Sequence, residues 1–218
     1  MFITFEGIDL SGKSTQAQLL AGRLRERRSS TGALPVVRLI REPGGTPISE
    51  RLREILLDRR NTEMNPWAEL FLFSAARAQL VSEVIRPALA RGEIVVCDRF
   101  YDSSTAYQGH GRGLDLETVR RINRAATGGT DPELTIVVDI PVEEISRRRS
   151  AAGLGTDRME SAGREFYERV RKGYAEIMNR EPHRVVTVDG SRSVQQVGED
   201  VWRVATRLRE LTQQFVQG

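Results

Sequence analysis

The sequence predicts an α/β fold, with a parallel five-stranded sheet flanked by helices on both faces. Three observations predict it. Short, nearly continuous runs of β-branched and apolar residues recur along the chain, as in strands buried on both faces. Longer segments with helical spacing separate these runs, and glycine-rich turns follow several of them. The five runs cover residues 2–5, 36–40, 94–97, 134–138 and 185–188.

The segments between the runs carry helix signals. Leu19, Leu20 and Leu24 are predicted to form one apolar stripe on the first helix. Asn65 followed by a proline, and Asp115 before an amphipathic segment, are typical N-terminal caps. The predicted helices cover residues 15–28, 65 to about 86, 116–127, 161–181 and 193–215. We expect the glycine-rich segments 41–47, 109–113 and 151–156 to be loops over the carboxyl edge of the sheet, where α/β folds bind ligands.

Composition excludes several classes of protein. The chain has 218 residues, of which 39% are hydrophobic and 29% charged, so one globular domain without a linker is expected. Apolar runs are too short for a membrane span, and a net charge of +3 does not imply nucleic-acid binding. The single cysteine, Cys97, lies in an apolar run, which predicts a buried thiol in a reduced, cytoplasmic protein.

The segment Gly7-Ile-Asp-Leu-Ser-Gly-Lys13-Ser14 fits the P-loop pattern G-x-x-x-x-G-K-[ST]. It follows a strand and opens a helix, so backbone N–H groups and the positive helix end can surround a polyphosphate. Of 33 Lys and Arg residues only Lys13 and Lys172 are lysines, which makes a lysine at this position by chance improbable. Lys13 would neutralise the outer phosphates of a nucleoside triphosphate, and the Ser14 hydroxyl would bind Mg²⁺.

Asp98 ends another predicted strand, at the same edge of the sheet as the P-loop. This arrangement resembles a Walker B carboxylate near Mg²⁺, although a strand-end aspartate can also simply cap a turn. The sequence has no N-K-x-D motif, the motif that selects guanine in GTPases, so a GTPase is disfavoured. It also has no large second domain that ATP hydrolysis could move, so a motor ATPase is disfavoured. A kinase whose acceptor is itself a phosphate ester needs arginines, and Arg41, Arg77 and Arg99 follow or neighbour strand ends.

Four segments make the chain resemble the thymidylate kinase family, specifically the bacterial branch of these P-loop nucleoside monophosphate kinases. They are residues 5–16, Arg41-Glu-Pro-Gly-Gly-Thr46, residues 70–77, and residues 98–109. The resemblance implies one kinase domain over residues 1–218, with an acceptor region at about 41–110 and a mobile lid at about 147–160. It implies Mg²⁺-dependent transfer of the ATP γ-phosphate to dTMP, giving dTDP and ADP on the route to dTTP. It also implies a cytoplasmic homodimer formed by the helices around residues 71–79, with no nucleic-acid or membrane partner.

The resemblance assigns roles in the acceptor site. Asp9 would reach the 3′-hydroxyl of dTMP, and Arg99 would hold its phosphate in line with ATP. Phe73 would lie against the thymine face, and Arg77, on the same helix face, would bind a base edge. Tyr107 would occupy the space of a ribose 2′-hydroxyl. The full acceptor set is Asp9, Glu42, Pro43, Arg53, Phe73, Arg77, Arg99, Ser104, Tyr107 and Gln108.

The donor site and the lid complete the assignment. The ATP set is Gly7, Ile8, Asp9, Leu10, Ser11, Gly12, Lys13, Ser14 and Thr15, and the metal set is Ser14, Asp98 and Glu160. Some relatives have a P-loop arginine where this chain has Leu10, and many have a lid arginine where it has Ala152. The arginine that neutralises charge at the transferring phosphoryl group would therefore be Arg148, Arg149 or Arg158. The sequence does not distinguish among these three. With Lys13, Asp9 and Arg99, the residues Arg148 and Arg149 form the predicted catalytic set.

Simpler interpretations of these residues remain open. Asp9 could cap its loop, Phe73 and Tyr107 could be core residues, and Arg53 or the arginine run 147–149 could belong to solvated helix surfaces. Two alternative functions also remain. One is a kinase of the same class with another acceptor, such as a different nucleoside monophosphate or a nucleoside. The other is a nucleotide-binding regulator on a degenerate kinase fold, for which Ala152 would be the supporting feature.

Overall fold

The computed structural model describes residues 1–27, 33–153, 158 and 163–216. In this part of the chain the predicted runs form one parallel sheet. Its strands are β1 Phe2–Glu6, β2 Val37–Arg41, β3 Ile94–Asp98, β4 Leu134–Asp139 and β5 Val185–Asp189. Their spatial order is β2-β3-β1-β4-β5, and every neighbouring pair is parallel. The predicted α/β class and five-stranded parallel sheet are confirmed.

Helices cover both faces of the sheet. Ile3 and Phe5 of β1 pack on one face against the first and last helices, while Phe2 points to the opposite face and packs beside Leu80. This alternation follows from the two-residue period of a strand. The helices are α1 Lys13–Glu26, α2 Pro47–Leu57, α3 Pro66–Leu80, α4 Arg86–Ala90, α5 Tyr101–Ser104, α6 Leu116–Thr127, α7 Glu143–Ala152, α8 Arg164–Arg180 and α9 Val194–Val216. π-Helical segments at Val81–Ile85 and Thr105–Gly111 continue α3 and α5.

Strand register brings three turns together at the carboxyl edge of the sheet. Asp98 of β3 lies beside Phe5 of β1 and beside Arg41 of β2. Two backbone hydrogen bonds extend this alignment beyond the strands, since Arg99 N donates to Phe5 O and Glu42 N donates to Asp98 O, both at 2.9 Å. The segments that follow β1, β2 and β3 therefore border one cleft.

Three local predictions were wrong. Leu19 is 44% exposed, because Leu20 and Leu24 share the buried face of α1 and Leu19 does not. The helix that begins after Asn65 continues to Ala90 rather than ending near residue 86, since a π-helical segment accommodates the proline at 87. Most of the expected loop at 109–113 is also helical, as far as Gly111.

The predicted lid begins inside a helix. Residues 147–149 lie on α7, which ends at Gly153 with a left-handed φ of 62°. Of the remaining lid, Arg158 is described, whereas Asp157 and Glu160 lie outside the described residues. The division into an acceptor region and a lid stays a prediction.

Candidate active site

The P-loop joins β1 to α1 with a backbone that only glycine can supply at its first position. Gly7 has a φ of 136°, and a Cβ atom there would lie 2.4 Å from the Val138 carbonyl oxygen. Gly12, with a φ of 96°, precedes α1 and provides no side-chain cap. The first N–H groups of α1 therefore remain available to an anion, as the motif predicted.

Lys13 is the buried cation of this loop. Its side chain lies under the P-loop, with Nζ 3.5 Å from the Ile8 carbonyl oxygen. Burial, followed by repulsion from Arg99, holds the pKa of the Lys13 ammonium below its usual value. A bound polyphosphate would offset both effects by supplying negative charge next to the ammonium group.

Asp98 and Ser14 meet at the base of the P-loop. The Ser14 hydroxyl donates to Asp98 Oδ2 at 2.5 Å. Asp98 Oδ1 is buried and has no hydrogen-bond donor among the described residues. In the described ranges, no three His, Cys, Asp or Glu side chains are grouped so that they could hold a metal ion. Any cation here would therefore depend on ligands from a bound phosphate or from water.

Asp9 and Arg99 form the central ion pair of the cleft. Arg99 Nη2 donates to Asp9 Oδ1 at 2.5 Å, and Nη1 donates to the Gly7 carbonyl oxygen at 3.0 Å. The hydroxyl groups of Tyr107 and Tyr167 donate to Asp9 Oδ2 at 3.2 and 2.8 Å. Burial disfavours the charged form of Asp9, but Arg99 and Lys13 outweigh it and hold the pKa below the ordinary value. Arg99 itself has a φ of 71°, a left-handed conformation that is strained for an arginine.

The residues predicted for dTMP line one cavity, the acceptor cavity, with a volume of about 230 Å³. Phe73 and Arg77 reach it from α3, Ser104 reaches it from α5, and Tyr107 and Gln108 reach it from the π-helical segment that follows α5. The cavity also includes Lys13 and Ser14, so the P-loop and the acceptor residues share one space. The lining residues are Asp9, Lys13, Ser14, Arg41, Glu42, Pro43, Arg53, Leu57, Phe73, Arg77, Asp98, Arg99, Ser103, Ser104, Tyr107 and Gln108.

Arg77 is fully buried and held on three sides. Its Nε and Nη2 donate to Glu42 Oε1 at 2.8 and 2.5 Å. Nη2 also donates to Ser104 Oγ at 2.8 Å, and Nη1 donates to Asn123 Oδ1 at 2.9 Å. The orientation of this guanidinium is therefore fixed by protein partners.

The turn after β2 forms the other end of the cavity. The Glu42–Pro43 peptide bond is cis, a state that the sequence left open. Arg41 and Arg53 both donate to the Pro43 carbonyl oxygen, at 3.2 and 3.0 Å, and Arg41 also pairs with Glu50. Arg53 thus lines the cavity and does not belong to a wholly solvated helix face, whereas its role in binding the acceptor stays a prediction.

The three candidate lid arginines lie in different places. Arg148 Nη1 donates to the carbonyl oxygens of Leu10 and Ser11 at 3.1 and 3.2 Å, and Nη2 donates to Gly190 O at 2.7 Å. Arg149 follows it on α7 and is partly buried. Arg158 instead contacts helix α3, because its Nη1 donates to Glu69 Oε2 at 2.7 Å. Arg148 is thus hydrogen-bonded to the P-loop.

Sequence reasoning missed a buried cluster behind Arg99. Glu6 accepts hydrogen bonds from Phe100 N at 2.7 Å, from Ser103 Oγ at 2.6 Å and from the Tyr174 hydroxyl at 2.9 Å. Burial, with repulsion from Asp102, raises its pKa to about 7, although Arg99 and these hydrogen bonds act in the opposite direction. Ser103 and Tyr174 in turn accept from Arg99 Nη1 at 3.0 and 3.3 Å. The available signal was a carboxylate inside an otherwise apolar buried strand.

Comparisons with known proteins agree with this geometry. The family profile described as "Thymidylate kinase" matches residues 5–201. The thymidylate kinase of Pelotomaculum thermopropionicum is 47% identical over 217 residues, covering 100% of this chain and 96% of its own. That of Symbiobacterium thermophilum is 48% identical over 204 residues, covering 94% of this chain and 92% of its own. The crystal structure of thymidylate kinase from Ehrlichia chaffeensis superposes with a TM-score of 0.74 at 35% identity, covering 94% of this chain and 98% of that one.

Proposed function

The chain belongs to the thymidylate kinase family and phosphorylates dTMP with ATP, giving dTDP for dTTP synthesis, and we propose that the acceptor cavity is where this transfer occurs. The observation that carries the proposal is that one cavity contains the P-loop residues Lys13 and Ser14 together with Arg99 and Arg77. A donor phosphate at the P-loop and an acceptor phosphate at Arg99 would then face each other, as in-line transfer requires.

The acceptor would be held at three points. Arg99 would hold the dTMP phosphate, for which it offers a guanidinium whose present partner is the Asp9 carboxylate. Asp9 would then accept a hydrogen bond from the sugar 3′-hydroxyl, which replaces part of its contact with Arg99. Phe73 and Arg77 would contact the base at the far end of the cavity, while Tyr107 would fill the space next to the sugar C2′.

The donor would be held mostly by backbone. The N–H groups at the start of α1 would bind the β- and γ-phosphates, and Lys13 would lie beside them. We propose Arg148 as the arginine that supports the transferring phosphoryl group, because it is hydrogen-bonded to the P-loop carbonyl oxygens of Leu10 and Ser11. The acceptor is already an anion, so no strong general base is required.

The residues at Asp98 fit a magnesium ion. The buried, unpartnered Oδ1 atom of Asp98 and the Ser14 hydroxyl are hard oxygen ligands at the site of the donor phosphates. Mg²⁺ bound there would neutralise phosphate charge. Ser14 would hold it directly and Asp98 directly or through water. The third predicted ligand, Glu160, lies outside the described residues.

We propose that the protein forms a homodimer through α2 and α3. Phe71, Ile48 and Ile55 on these helices are 55%, 52% and 46% exposed, and exposed large apolar side chains grouped on neighbouring helices are typical of an interface. Light scattering on a Phe71→Glu variant tests this. We expect wild-type protein at twice 24.5 kDa and the variant at 24.5 kDa, and a wild-type monomer would contradict the proposal.

We also propose a cytoplasmic location. The support is the single cysteine, Cys97, which is buried and free, as is usual in a reducing compartment. In the part of the chain that the structure describes, each helix is too short or too polar to cross a bilayer.

The function is tested by measuring ADP release with Mg·ATP and a panel of acceptors: dTMP, dUMP, the ribonucleotide TMP, dCMP, AMP and thymidine. We expect dTMP to give by far the highest kcat/KM. Thymidine should be inactive, because it lacks the phosphate that Arg99 would hold. Equal turnover of AMP, or ATP binding without any turnover, would contradict the proposal.

A further inference from the structure

Glu69 is a buried carboxylate on α3, one helical turn before Phe73, and it lies outside the predicted site. It is 1% exposed. Its Oε1 accepts a hydrogen bond from Gln108 Nε2 at 2.8 Å and from Arg112 Nε at 3.2 Å. Its Oε2 accepts from Arg112 Nη2 at 3.1 Å and from Arg158 Nη1 at 2.7 Å. The carboxylate therefore joins two arginines to one side chain of the acceptor cavity.

The charges around Glu69 determine what it can offer to Gln108. Burial favours the neutral acid, but hydrogen bonds from Arg112, Gln108 and Arg158 outweigh it and hold the pKa of Glu69 below its usual value. An ionised carboxylate has acceptors and no donor. The Gln108 group that contacts Glu69 must therefore be the NH₂ group, which fixes the orientation of the amide.

The amide oxygen of Gln108 consequently faces away from Glu69. Gln108 lines the acceptor cavity, and among the described residues no donor contacts its Oε1 atom. We propose that Glu69 is a positioning residue for base selection, which makes Gln108 an obligate hydrogen-bond acceptor in the acceptor cavity. This inference rests on the proposed function, because it concerns the base of the acceptor nucleotide.

An obligate acceptor discriminates between pyrimidines. Thymine carries a donor at N3–H beside an acceptor at O4, whereas cytosine carries an acceptor at N3 beside a donor amino group. Gln108 Oε1 accepts from a thymine N3–H and meets a lone pair of cytosine N3 at the same position. Arg77, a donor only, also lines the cavity and would complement O4 of thymine. The pair Arg77 and Gln108 thus matches thymine and opposes cytosine, provided that Glu69 prevents the amide from rotating.

The test compares kcat/KM for dTMP with kcat/KM for dCMP in a Glu69→Gln variant. A glutamine at this position can accept or donate, so Gln108 can turn its NH₂ group towards the base. We expect the dTMP/dCMP ratio to fall about tenfold, mainly through a higher KM for dTMP and better use of dCMP. General damage to the fold would lower both values and leave the ratio unchanged, so the ratio isolates positioning from stability.

Arg112→Gln is the matched control. It removes one arginine from the same carboxylate but leaves Arg158 to keep Glu69 ionised, so the dTMP/dCMP ratio should stay within about twofold of wild type. If Glu69→Gln does not fold, Glu69→Asp serves instead, since it retains the charge for the arginines but is too short to hold Gln108. An unchanged ratio in a folded Glu69 variant would overturn the inference. Absence of dTMP turnover in the wild type would instead refute the proposed function.

Discussion

The two halves of the cleft are built by different means. On the donor side the P-loop relies on backbone geometry, with left-handed glycines and the open first turn of α1 around a single lysine, Lys13. On the acceptor side, buried charged side chains hold one another before any substrate is bound, as with Arg77 and Glu42 or Arg99 and Asp9. The P-loop itself does not distinguish one nucleoside triphosphate from another, because backbone N–H groups would contact only the phosphate oxygens. The acceptor half presents a fixed pattern of donors and acceptors, so we expect selectivity for the substrate to depend on this half.

The largest expected effect lies on the acceptor side, at Arg99. Replacement by alanine removes the guanidinium that would hold the acceptor phosphate and leaves Asp9 without its main partner. We expect kcat/KM for dTMP to fall about 10³-fold while ATP binding changes little. Steady-state kinetics with dTMP and a separate ATP-binding measurement check this. A decrease in kcat/KM of less than about tenfold would contradict the assignment of acceptor binding to this half of the cleft.

The buried carboxylate of Glu6 leads to a prediction of how the free energy of unfolding depends on pH. Its pKa of about 7 in the folded protein lies above the value of 4.5 for an exposed glutamate, so the folded state binds this proton more tightly. The resulting stabilisation is complete below about pH 4.5 and is lost as the pH rises through 7. By this reasoning Glu6 contributes up to about 3 kcal/mol of pH dependence to the free energy of unfolding.

A Glu6→Gln variant should lack that contribution, because the amide mimics the neutral acid. Urea denaturation of both proteins at several pH values between 4.5 and 8 measures the difference, and groups common to both cancel. Among the groups facing Glu6, Asp102 and Arg99 shift its pKa in opposite directions, and both are retained in the variant. Parallel stability curves for the two proteins would show that Glu6 does not titrate in this range.

On the donor side we expect a smaller and different effect from Asp98→Asn. The substitution preserves shape and the contact with Ser14 but removes the charge proposed to help hold Mg²⁺. The Mg²⁺ concentration for half-maximal activity should rise about tenfold, with the KM for dTMP unchanged. Kinetics over a Mg²⁺ titration measure both. A changed KM for dTMP with an unchanged Mg²⁺ requirement would assign Asp98 to the acceptor half instead.

The smallest expected effect is that of Tyr107→Phe. The hydroxyl group that contacts Asp9 and Arg99 is lost, whereas the ring that would exclude a ribose 2′-hydroxyl remains. We expect kcat/KM for dTMP to fall about fivefold, with preference for the deoxynucleotide retained. Tyr107→Ala is the control, which should lose that preference. If both variants keep it, another residue excludes the ribonucleotide.

Sequence reasoning succeeded where a local pattern carries the structure. The P-loop was predicted because its glycines, its lysine and the flanking strand and helix are contiguous. The strands were predicted from their apolar runs. The loop at 109–113 was predicted wrongly because glycine there serves close packing: a Cβ at Gly111 would lie 2.6 Å from a Phe166 ring atom. A glycine needed for helix contact and a glycine needed for a turn look alike in one sequence.

Buried carboxylates were harder to predict. The partners of Glu6 are Phe100, Ser103 and Tyr174, more than 90 residues away in the chain. Glu69 similarly depends on Gln108 and Arg112, which follow it by about 40 residues. In the sequence each is one glutamate among 30 acidic residues. Glu6 has one local signal, its place in an apolar strand, but that signal does not identify its partners, and Glu69 has no such signal. Only the tertiary fold reveals which carboxylates are held by donors.

The left-handed backbone at Arg99 lowers the stability of the fold at a residue that we propose to be needed for activity. Glycine would adopt a φ of 71° without steric strain, so an Arg99→Gly protein should be more stable than Arg99→Ala by about 1 kcal/mol although both lack the guanidinium. The backbone conformation alone would favour glycine at this turn, whereas the ion pair with the partly buried Asp9 carboxylate favours arginine. The chain therefore accepts a local backbone cost at the residue that we propose to hold the acceptor phosphate.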